Sequence, residues 1–335
     1  MSSLISELLQ TGSLVLALCL AIREPDIRRR SLTGETVNIA HIPHAGEILS
    51  VLAAVVWSVS VVLFRLSGKR MTPFNLNFFK NAVASLLLLA TLAIVGIPLV
   101  RSVPLTDYLL LFLAGFIGIA VADTMFFQGL NIVGAGLSQV VGCTYPPSVI
   151  LLSFIFLGER LTWGDIAGTV FILAGIFMST RHEPPEGTTR ADIRRGILLG
   201  TMSMILMAVG VVITKPVLDR SPILWATTIR LLGGVFTMML ITAFSRRHRS
   251  AWRAFVPSRA WRITVPASVM GTYLAMIIWL SGMKFTQAST ASILNQTSAI
   301  FVLPVAAIVL GERITRQKLI AVILGVTGVA LVTLL

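Results

Sequence analysis

Long apolar stretches separated by short polar segments make up most of the chain. Runs such as LLLLATLAIV and ILLSFIFLG do not alternate apolar with polar residues, so they predict helices and not the strands of a membrane β-barrel. About 20 apolar residues cross the roughly 30 Å hydrocarbon core of a bilayer. About ten such stretches are present, at residues 47–66, 74–95, 107–129, 135–157, 163–180, 195–215, 222–244, 262–283, 287–310 and 315–334. They predict an all-α polytopic membrane protein.

Composition supports a membrane protein. The 335 residues are 56% hydrophobic and 12% charged, with a mean hydropathy of +0.89, a balance that soluble globular domains do not have. The net charge of +13 is also typical of nucleic-acid-binding proteins. The basic residues, however, lie in short segments between the apolar stretches, where orientation signals and anionic lipid headgroups explain them. We therefore expect membrane lipids as partners, and no nucleic acid.

Cysteine and histidine offer little for metal or disulfide chemistry. Cys19 and Cys143 lie in separate apolar segments, which excludes a disulfide framework and a cysteine-based metal site. His41 and His44 are three residues apart and either share a metal or belong to a linker; we favour the linker. No histidine lies in a predicted span. We expect no metal site and no cofactor.

Residues 1–45 form an N-terminal extension before the first clear stretch. Within it, residues 4–22 are apolar, and the polar sequence REPDIRRR follows. No small-residue cleavage site follows the apolar run, which argues against a removed signal peptide. An eleventh span, an interfacial helix and an over-extended translation start all stay open.

An internal repeat is the most informative pattern. The sequence FLGERLT at 156–162 returns as VLGERIT at 309–315, an offset of 153 residues. The same offset relates Gly118 to Gly271 and Gly129 to Gly282, and an offset of 150 applies earlier in each half, as for Gly46 and Gly196. The repeat predicts two five-span units, at residues 46–181 and 195–335, with a linker at 182–194.

The odd number of spans in each unit has a topological consequence. The second unit enters the membrane from the opposite face, so the units form an inverted pair related by an axis in the membrane plane. Two such units can exchange shapes and so open a shared cavity to either side. We predict ten transmembrane helices arranged as two inverted five-helix repeats around a central cavity. A duplication that only enlarged a helix bundle is the alternative.

This pattern resembles a known family. Ten spans in two halves, with a fourth span that ends in an LGE-R-(L/I)-T corner and a Gly-rich fifth span in each half, resemble the EamA-type members of the drug/metabolite transporter superfamily. The resemblance covers about residues 46–335. It implies a basket of helices in a cell (inner) membrane that carries small metabolites, amino acids or drugs, usually outward. It does not specify the substrate.

The repeated corner contains Glu159 and Arg160 in the first unit and Glu312 and Arg313 in the second. The sequence TWGD at 162–165 predicts a capping box at the start of the next helix. We interpret the corner as a tight structural reversal at the membrane interface. A gating or proton-transfer role for the two glutamates is the alternative.

Charged side chains within spans are the main functional candidates, because each costs about 2.5–3.5 kcal/mol to insert unless it is paired or faces water. Lys80 lies about six residues into the second stretch, and Asp123 about six residues before the end of the third. At 1.5 Å per residue both lie about 9 Å below the same face, so we predict a salt bridge between them. Alternatively, Lys80 extends to the headgroups and Asp123 bonds to a neighbouring helix.

Arg230 is the second-unit counterpart of Lys80. The counterpart of Asp123 is Met276, so Arg230 lacks an equivalent acidic partner. A guanidinium in a cavity can hold a carboxylate or phosphate through two hydrogen bonds. We predict that Arg230 binds an anionic group of a small-molecule substrate, and that Asp123 is a proton-coupling site or contacts an amine. An arginine this near a span end can also serve only as an anchor.

Uncharged polar residues complete the candidate site. The fourth and ninth stretches contain most of them, together with prolines that free backbone carbonyls, so we expect these stretches to form cavity walls. Hydrogen bonding between helices is the alternative. The further candidate substrate-binding residues are Asn77, Gln128, Tyr145, Tyr273, Asn295 and Gln296.

These patterns favour a secondary transporter that exports a small metabolite or drug-like solute by alternating access, either by proton antiport or by facilitated flow. The chain has no GxxxxGK[ST] phosphate-binding loop, so nucleotide hydrolysis is not its own energy source. A flippase for a lipid or lipid-linked precursor is the first alternative. An intramembrane enzyme is the second, but it requires a nucleophile or metal constellation at membrane depth, and we expect no enzyme. The sequence leaves a homodimer open.

Two orientation signals disagree. Sixteen basic residues lie at the loops after the first, third, fifth, seventh and ninth spans, which the positive-inside rule places in the cytoplasm. That arrangement puts the C-terminus outside. The family resemblance instead implies that both termini are inside, so the orientation stays open.

Overall fold

The computed structural model describes residues 43–68, 71–179, 188–310 and 316–335, and every regular element in these ranges is helical. The apolar run 4–22, Cys19, His41, Glu312 and Arg313 lie outside the described residues.

Helices follow each of the ten predicted stretches. The first unit contains α1 (Ala45–Gly68), α2 (Pro73–Val95), α3 (Leu105–Gly115), a π-helical segment (Phe116–Ala122), α4 (Asp123–Gly142), α5 (Tyr145–Leu157) and α6 (Trp163–Ser179). The second unit contains α7 (Arg190–Asp219), α8 (Ile223–Phe244), a 3-10 segment (Arg246–Phe255), α9 (Trp261–Ser268), a second π-helical segment (Val269–Ala275), α10 (Met276–Phe285), α11 (Ala288–Asn295), α12 (Ser298–Leu310) and α13 (Arg316–Leu334).

Seven helical segments in the described ranges are long and apolar enough to cross a bilayer. They are Ala45–Phe64, Pro73–Val95, Leu105–Val133, Val140–Leu157, Arg190–Asp219, Ile223–Phe244 and Trp261–Phe285. Two shorter apolar helices, Trp163–Met178 and Leu319–Leu334, follow the fifth and tenth predicted stretches. The fold is therefore all-helical, with multiple segments able to span a membrane.

The third and fourth predicted stretches divide at residues 130–134 in the sequence, but the helix does not break there. The backbone stays helical from Leu105 to Gly142, through residues 130–134, and is interrupted at Cys143–Thr144. Two prolines begin α5, and because proline has no N–H it cannot continue a preceding helix. The prolines, and not the division in hydrophobicity, determine the break.

The repeat recurs in the irregular parts of the backbone. The two π-helical segments, Phe116–Ala122 and Val269–Ala275, are offset by 153 residues. The break between α4 and α5 at Cys143–Thr144 has its counterpart at Gln296–Thr297, between α11 and α12, at the same offset. Such distortions interrupt the regular backbone hydrogen bonds of the helix, here at equivalent positions in the two units. The two units therefore share local backbone geometry as well as sequence.

Glycines allow the two units to interlock. A Cβ at Gly129 of α4 would lie 3.0 Å from the Gly196 oxygen of α7, and a Cβ at Gly282 of α10 would lie 2.9 Å from the Gly46 oxygen of α1. These two contacts are equivalent under the repeat. The first helix of each unit therefore packs against the third span of the other unit, at backbone distances that only small residues permit.

A second close contact joins α6 and α13, the last helix of each unit. A Cβ at Gly168 would lie 2.6 Å from the Gly328 oxygen and would overlap Val332 Cγ2. The repeat-equivalent contact is between Gly175 and Ala321, where the corresponding distance to the Ala321 oxygen is 2.8 Å. These two sets of contacts between the units are thus lined by small residues.

Contacts between chain segments define two opposite faces of the helix bundle. On the first, which we call the tied face, residues 97–107, 159–165, 215–225 and 283–290 meet; the Trp225 indole, for example, donates to the Leu99 oxygen at 2.9 Å. On the second, which we call the basic face, residues 67, 68 and 71–74 meet residues 245–264, as where Thr264 donates to Ser67 Oγ at 3.1 Å. Helices α2 and α8 run from one face to the other.

Candidate functional site

A cavity of about 550 Å³ lies between the two units. Helices from both units line it, and its walls include the breaks at Gly142–Tyr145 and Asn295–Ser298. It extends toward the basic face, where Met71 and Pro73 at the start of α2 are part of its lining. The volume lies within the range of small-molecule sites.

The predicted salt bridge between Lys80 and Asp123 is confirmed. Lys80 Nζ is 2.8 Å from Asp123 Oδ2, and the two side chains are 3% and 21% exposed. Lys80 Nζ also lies 5.8 Å from the centre of the Phe127 ring, within the range of a cation–π contact. The alternative in which Lys80 extends to the headgroups is therefore wrong. Asp123, the more exposed partner, keeps part of its carboxylate open to the cavity.

Arg230 is a buried cation of the cavity wall that forms no salt bridge with any described residue. Its guanidinium lies 5.7 Å from the Trp279 ring centre, and its Nη1 is 3.9 Å from the Met276 sulfur. The Nε atom is buried without a hydrogen-bond partner. Nε itself is shielded from solvent, so a ligand in the cavity would meet the guanidinium at its Nη atoms.

Small residues position the Arg230 side chain. A Cβ at Gly115 would overlap the Arg230 backbone oxygen, so this glycine allows α3 to touch α8. A Cβ at Gly118 would lie 3.3 Å from Arg230 Nη2, so this glycine leaves room for the guanidinium. Lys80, Asp123 and Arg230 all line the cavity. Together these three side chains carry one net positive charge.

Three uncharged candidates also line the cavity: Tyr145, Asn295 and Gln296. Tyr145 begins α5 directly after the first break, and Asn295 and Gln296 lie at the second. The two breaks approach each other, since Gln296 Nε2 is 3.5 Å from the position that a Cβ at Gly142 would take. Broken helices place polar side chains and unpaired backbone groups at one depth in the bundle.

The structure places the remaining candidates, Asn77, Gln128 and Tyr273, outside the cavity lining. Asn77 is fully buried, and its amide donates to the Ile119 oxygen and to Thr124 Oγ1, so it ties α2 to the helix beside it. The Tyr273 hydroxyl is 2.7 Å from Thr91 Oγ1.

The Gln128 side chain is exposed. Gln128 follows Asp123 by five residues, which rotates it about 140° around the helix and away from the cavity.

Trp279 is a cavity residue that the sequence interpretation left out. Its ring lies beside the Arg230 guanidinium, and its Nε1 is buried without a hydrogen-bond partner. One sequence signal points to Trp279: it follows Met276, the counterpart of Asp123, by three residues, so the two side chains share one face of α10. An aromatic wall next to a cation favours planar or cationic groups on a ligand.

The LGER corner of the first unit reaches into the second unit. Glu159 Oε1 accepts a hydrogen bond from the Ala288 amide at 2.8 Å, and Oε2 accepts from the Ser289 amide and hydroxyl at 2.9 and 2.6 Å. Glu159 therefore caps the N-terminus of α11, where a negative charge is favourable. Arg160 is exposed.

The predicted capping box is confirmed, and it too connects the units. The Thr162 amide donates to Asp165 Oδ2 at 2.9 Å, and the Asp165 amide donates to Thr162 Oγ1 at 3.0 Å. The second carboxylate oxygen of Asp165 accepts from Thr290 Oγ1 at 3.0 Å. The corner thus serves as both a local reversal and a contact with the other unit.

One further ion pair crosses the tied face. The Arg220 guanidinium at the end of α7 contacts both carboxylate oxygens of Asp107, which is buried near the start of α3. A bidentate arginine–carboxylate pair fixes the relative position of the two helices. Together with the Glu159 and Asp165 contacts, it holds the tied face closed between the units.

Comparisons with known proteins identify relatives along most of the chain. The family model for the EamA-like transporter family matches residues 44–181 and 194–334. A probable terminal-alkyne amino-acid exporter of Streptantibioticus cattleyicolor is 26% identical over 289 residues, which are 84% of this chain and 91% of that protein.

Two uncharacterized transporters are also similar. One, from Archaeoglobus fulgidus, is 20% identical over 86% of this chain and 97% of its own length. The other, YetK of Bacillus subtilis, is 24% identical over 80% of this chain and 79% of its own length.

A solved crystal structure has the same fold. It aligns with a TM-score of 0.71 at 17% identity and covers 87% of this chain and 96% of that chain. The family model matches both halves of the sequence, and the structure contains multiple helices able to cross a membrane. The chain therefore belongs to the EamA-like transporter family of the drug/metabolite transporter superfamily and is a multi-pass membrane transporter.

Proposed function

We propose that this protein exports a small zwitterionic metabolite of the amino-acid type across the cell (inner) membrane by alternating access. The arrangement of charge in the cavity carries the proposal. Arg230 lines the cavity and forms no salt bridge with a described residue, so its guanidinium can bind a carboxylate, and the partly exposed side chain of Asp123 can bind an ammonium group. The similarity to a probable amino-acid exporter supports the same substrate class.

The proposal includes ten transmembrane helices in two inverted repeats. The matching π-helical segments and the matching breaks support a duplicated unit. The reciprocal contacts of Gly129 with Gly196 and of Gly282 with Gly46 support a two-fold relation between the units. With five spans in each unit, such a relation places its axis in the membrane plane.

The two faces of the bundle suggest how access alternates. The cavity extends to the basic face, whereas Glu159, Asp165 and the Asp107–Arg220 pair join the units at the tied face. To release substrate on the other side, these contacts must break while the basic face closes. Because each contact is polar and lies near the membrane interface, water can replace it in the open form.

Asp123 is the proposed coupling site. Its ionised form binds Lys80 and attracts an ammonium group, whereas its protonated form does neither well. A proton taken up at Asp123 would therefore favour release of the substrate amine. This links substrate movement to proton movement in the opposite direction.

Counterflow in proteoliposomes tests the proposal. Purified protein should exchange zwitterionic amino acids in preference to amines that lack a carboxylate. Arg230→Gln should weaken zwitterion affinity about 10- to 100-fold, since it removes charged hydrogen bonds of about 1.5–3 kcal/mol. Arg230→Lys should retain part of the affinity, and Arg316→Gln, which removes an exposed arginine, is the matched control. Unchanged affinity in Arg230→Gln, or exchange of lipids alone, would refute the proposal.

A further inference from the structure

The connection between α8 and α9 has an unusual composition. Residues 246–262, RRHRSAWRAFVPSRAWR, contain six arginines, two tryptophans and no acidic residue. We call this segment the basic collar. It lies on the basic face, at the level where α8 ends and α9 begins. A run of like charge of this density repels itself unless something holds it in place.

Aromatic contacts hold the basic collar against the start of α2. The Phe255 ring packs edge-on against Phe78 at 5.0 Å between ring centres and lies 5.5 Å from Phe79. Trp252 meets Phe78 at 5.7 Å, and Trp261 meets Phe79 at 5.3 Å. The inner side of the collar is therefore packed, which gives its outer side a defined shape.

The outer side of the basic collar combines cationic and apolar groups. Arg253, Arg259 and Arg262 are exposed. Beside them, the Trp252 side chain is 47% exposed and Val256 is 61% exposed. Arginine and tryptophan at the end of a membrane helix are typical of the headgroup level, where rings enter the acyl boundary and guanidinium groups meet phosphates.

We propose that the basic collar is a binding surface for anionic phospholipids. The guanidinium groups of Arg253, Arg259 and Arg262 bind the headgroup phosphates, and the Trp252 and Val256 side chains contact the upper acyl chains. Basic segments next to a membrane helix attract anionic lipids within a Debye length of the surface. Zwitterionic phosphatidylcholine lacks the net charge that this surface selects.

Lipid binding at the collar would act on the cavity through α2. The collar packs on Phe78 and Phe79, while Pro73, Leu76 and Lys80 of the same helix line the cavity. A bound anionic lipid therefore holds the start of α2 in place at the mouth of the cavity. Because the collar faces outward and the cavity inward, this binding surface is separate from the proposed substrate site.

Thermal stability with added lipid tests the inference on the full chain. Purified protein in neutral detergent receives phosphatidylglycerol, phosphatidylcholine or inorganic phosphate, and Tm is measured. Phosphatidylglycerol alone should raise the Tm by several degrees, and native mass spectrometry should show retained phosphatidylglycerol. The variant Arg253→Gln/Arg259→Gln/Arg262→Gln should lose at least half of both effects, although its Tm without lipid should change little because all three side chains are exposed.

A matched control removes the same charge from the same face. Arg190, Arg194 and Arg195, at the start of α7, are also exposed, and their glutamine triple variant should retain most of the phosphatidylglycerol effect. The inference is overturned if the collar variant keeps the full effect, if this control loses it equally, if phosphatidylcholine or inorganic phosphate stabilises equally, or if the unmodified protein does not respond. None of these readouts depends on transport, so the inference can fail without the proposed function failing.

Discussion

Removing the Glu159 carboxylate should loosen the tied face. In Glu159→Ala, the Ala288 and Ser289 amides and the Ser289 hydroxyl lose their shared acceptor. A hydrogen bond to a charged group contributes about 1.5–3 kcal/mol, but the three share one carboxylate and water can reach part of the site. We therefore expect a net loss of about 2–3 kcal/mol from the closed form.

This loss should change the population of the two forms by a large factor. Because 1.4 kcal/mol corresponds to a tenfold change, the ratio of closed to open tied face should fall about 30- to 150-fold. Glu159→Gln keeps one acceptor oxygen but loses the charge, so its effect should be intermediate. Glu159→Ala destabilises only the closed form, because the open form does not contain the contact. The substitution therefore shifts the equilibrium toward the open form.

Distance measurements between spin labels can detect the opening. Labels at Arg160→Cys and Gln287→Cys, both exposed and on opposite sides of the contact, report the separation of the units in a background with Cys19 and Cys143 replaced by serine. The unmodified corner should give mainly a short distance. Glu159→Ala should add a long-distance population.

A matched control removes a carboxylate cap that does not join the units. Asp192 caps the start of α7 within its own unit, through a capping box with Thr189. Asp192→Asn should leave the distance distribution between the labels unchanged. If Glu159→Ala also leaves it unchanged, or if both variants shift it equally, the contact at the corner does not control the tied face.

Two further predictions concern the interior. Lys80→Ala should lower the free energy of unfolding by about 2–3 kcal/mol because it leaves Asp123 without its cation, whereas removing both side chains should cost less than the sum of the single changes. A double-mutant cycle in thermal unfolding measures this, and strict additivity would contradict it. Gly168→Ala should lower the free energy of unfolding by about 1–3 kcal/mol, since its Cβ would overlap Val332 Cγ2. Gly142→Ala, with 3.5 Å of space, should leave Tm unchanged; equal behaviour of the two variants would show that the α6–α13 interface can relax.

The sequence indicates how deep in the membrane a residue of a span lies, but it does not indicate which side of each helix faces the cavity. Counting residues from the span ends placed Lys80 and Asp123 at one level, and the structure joins them at 2.8 Å. Helical spacing separates Gln128 from Asp123 by about 140°, but the sequence does not show which side of that helix faces the cavity. It also does not show that the Tyr273 hydroxyl lies beside Thr91. Rotation depends on packing between helices, and near-uniform apolar spans carry little periodic signal for it.

Long-range and backbone features were also hidden. Glu159 caps a helix that begins 129 residues later in the chain, and no local pattern near Glu159 indicates that partner. The π-helical segments, Phe116–Ala122 and Val269–Ala275, have ordinary apolar compositions, so only the backbone reveals them. The repeat was the exception, because identical corners and glycines at a constant offset are visible without any structure.

The first helix of each unit packs against the other unit, so some contacts of the first unit can form only after the second unit is synthesised. Helix α1 ends at Gly68, but its packing partner α10 is complete only at Phe285, about 220 residues later. At a synthesis rate of about 5–20 residues per second, the side of α1 that carries Gly46 and Ser50 waits roughly 10–40 s before that partner is complete. During this interval the first unit exposes a surface that its final partner has not yet covered, so the order of synthesis leaves this part of the interface until last.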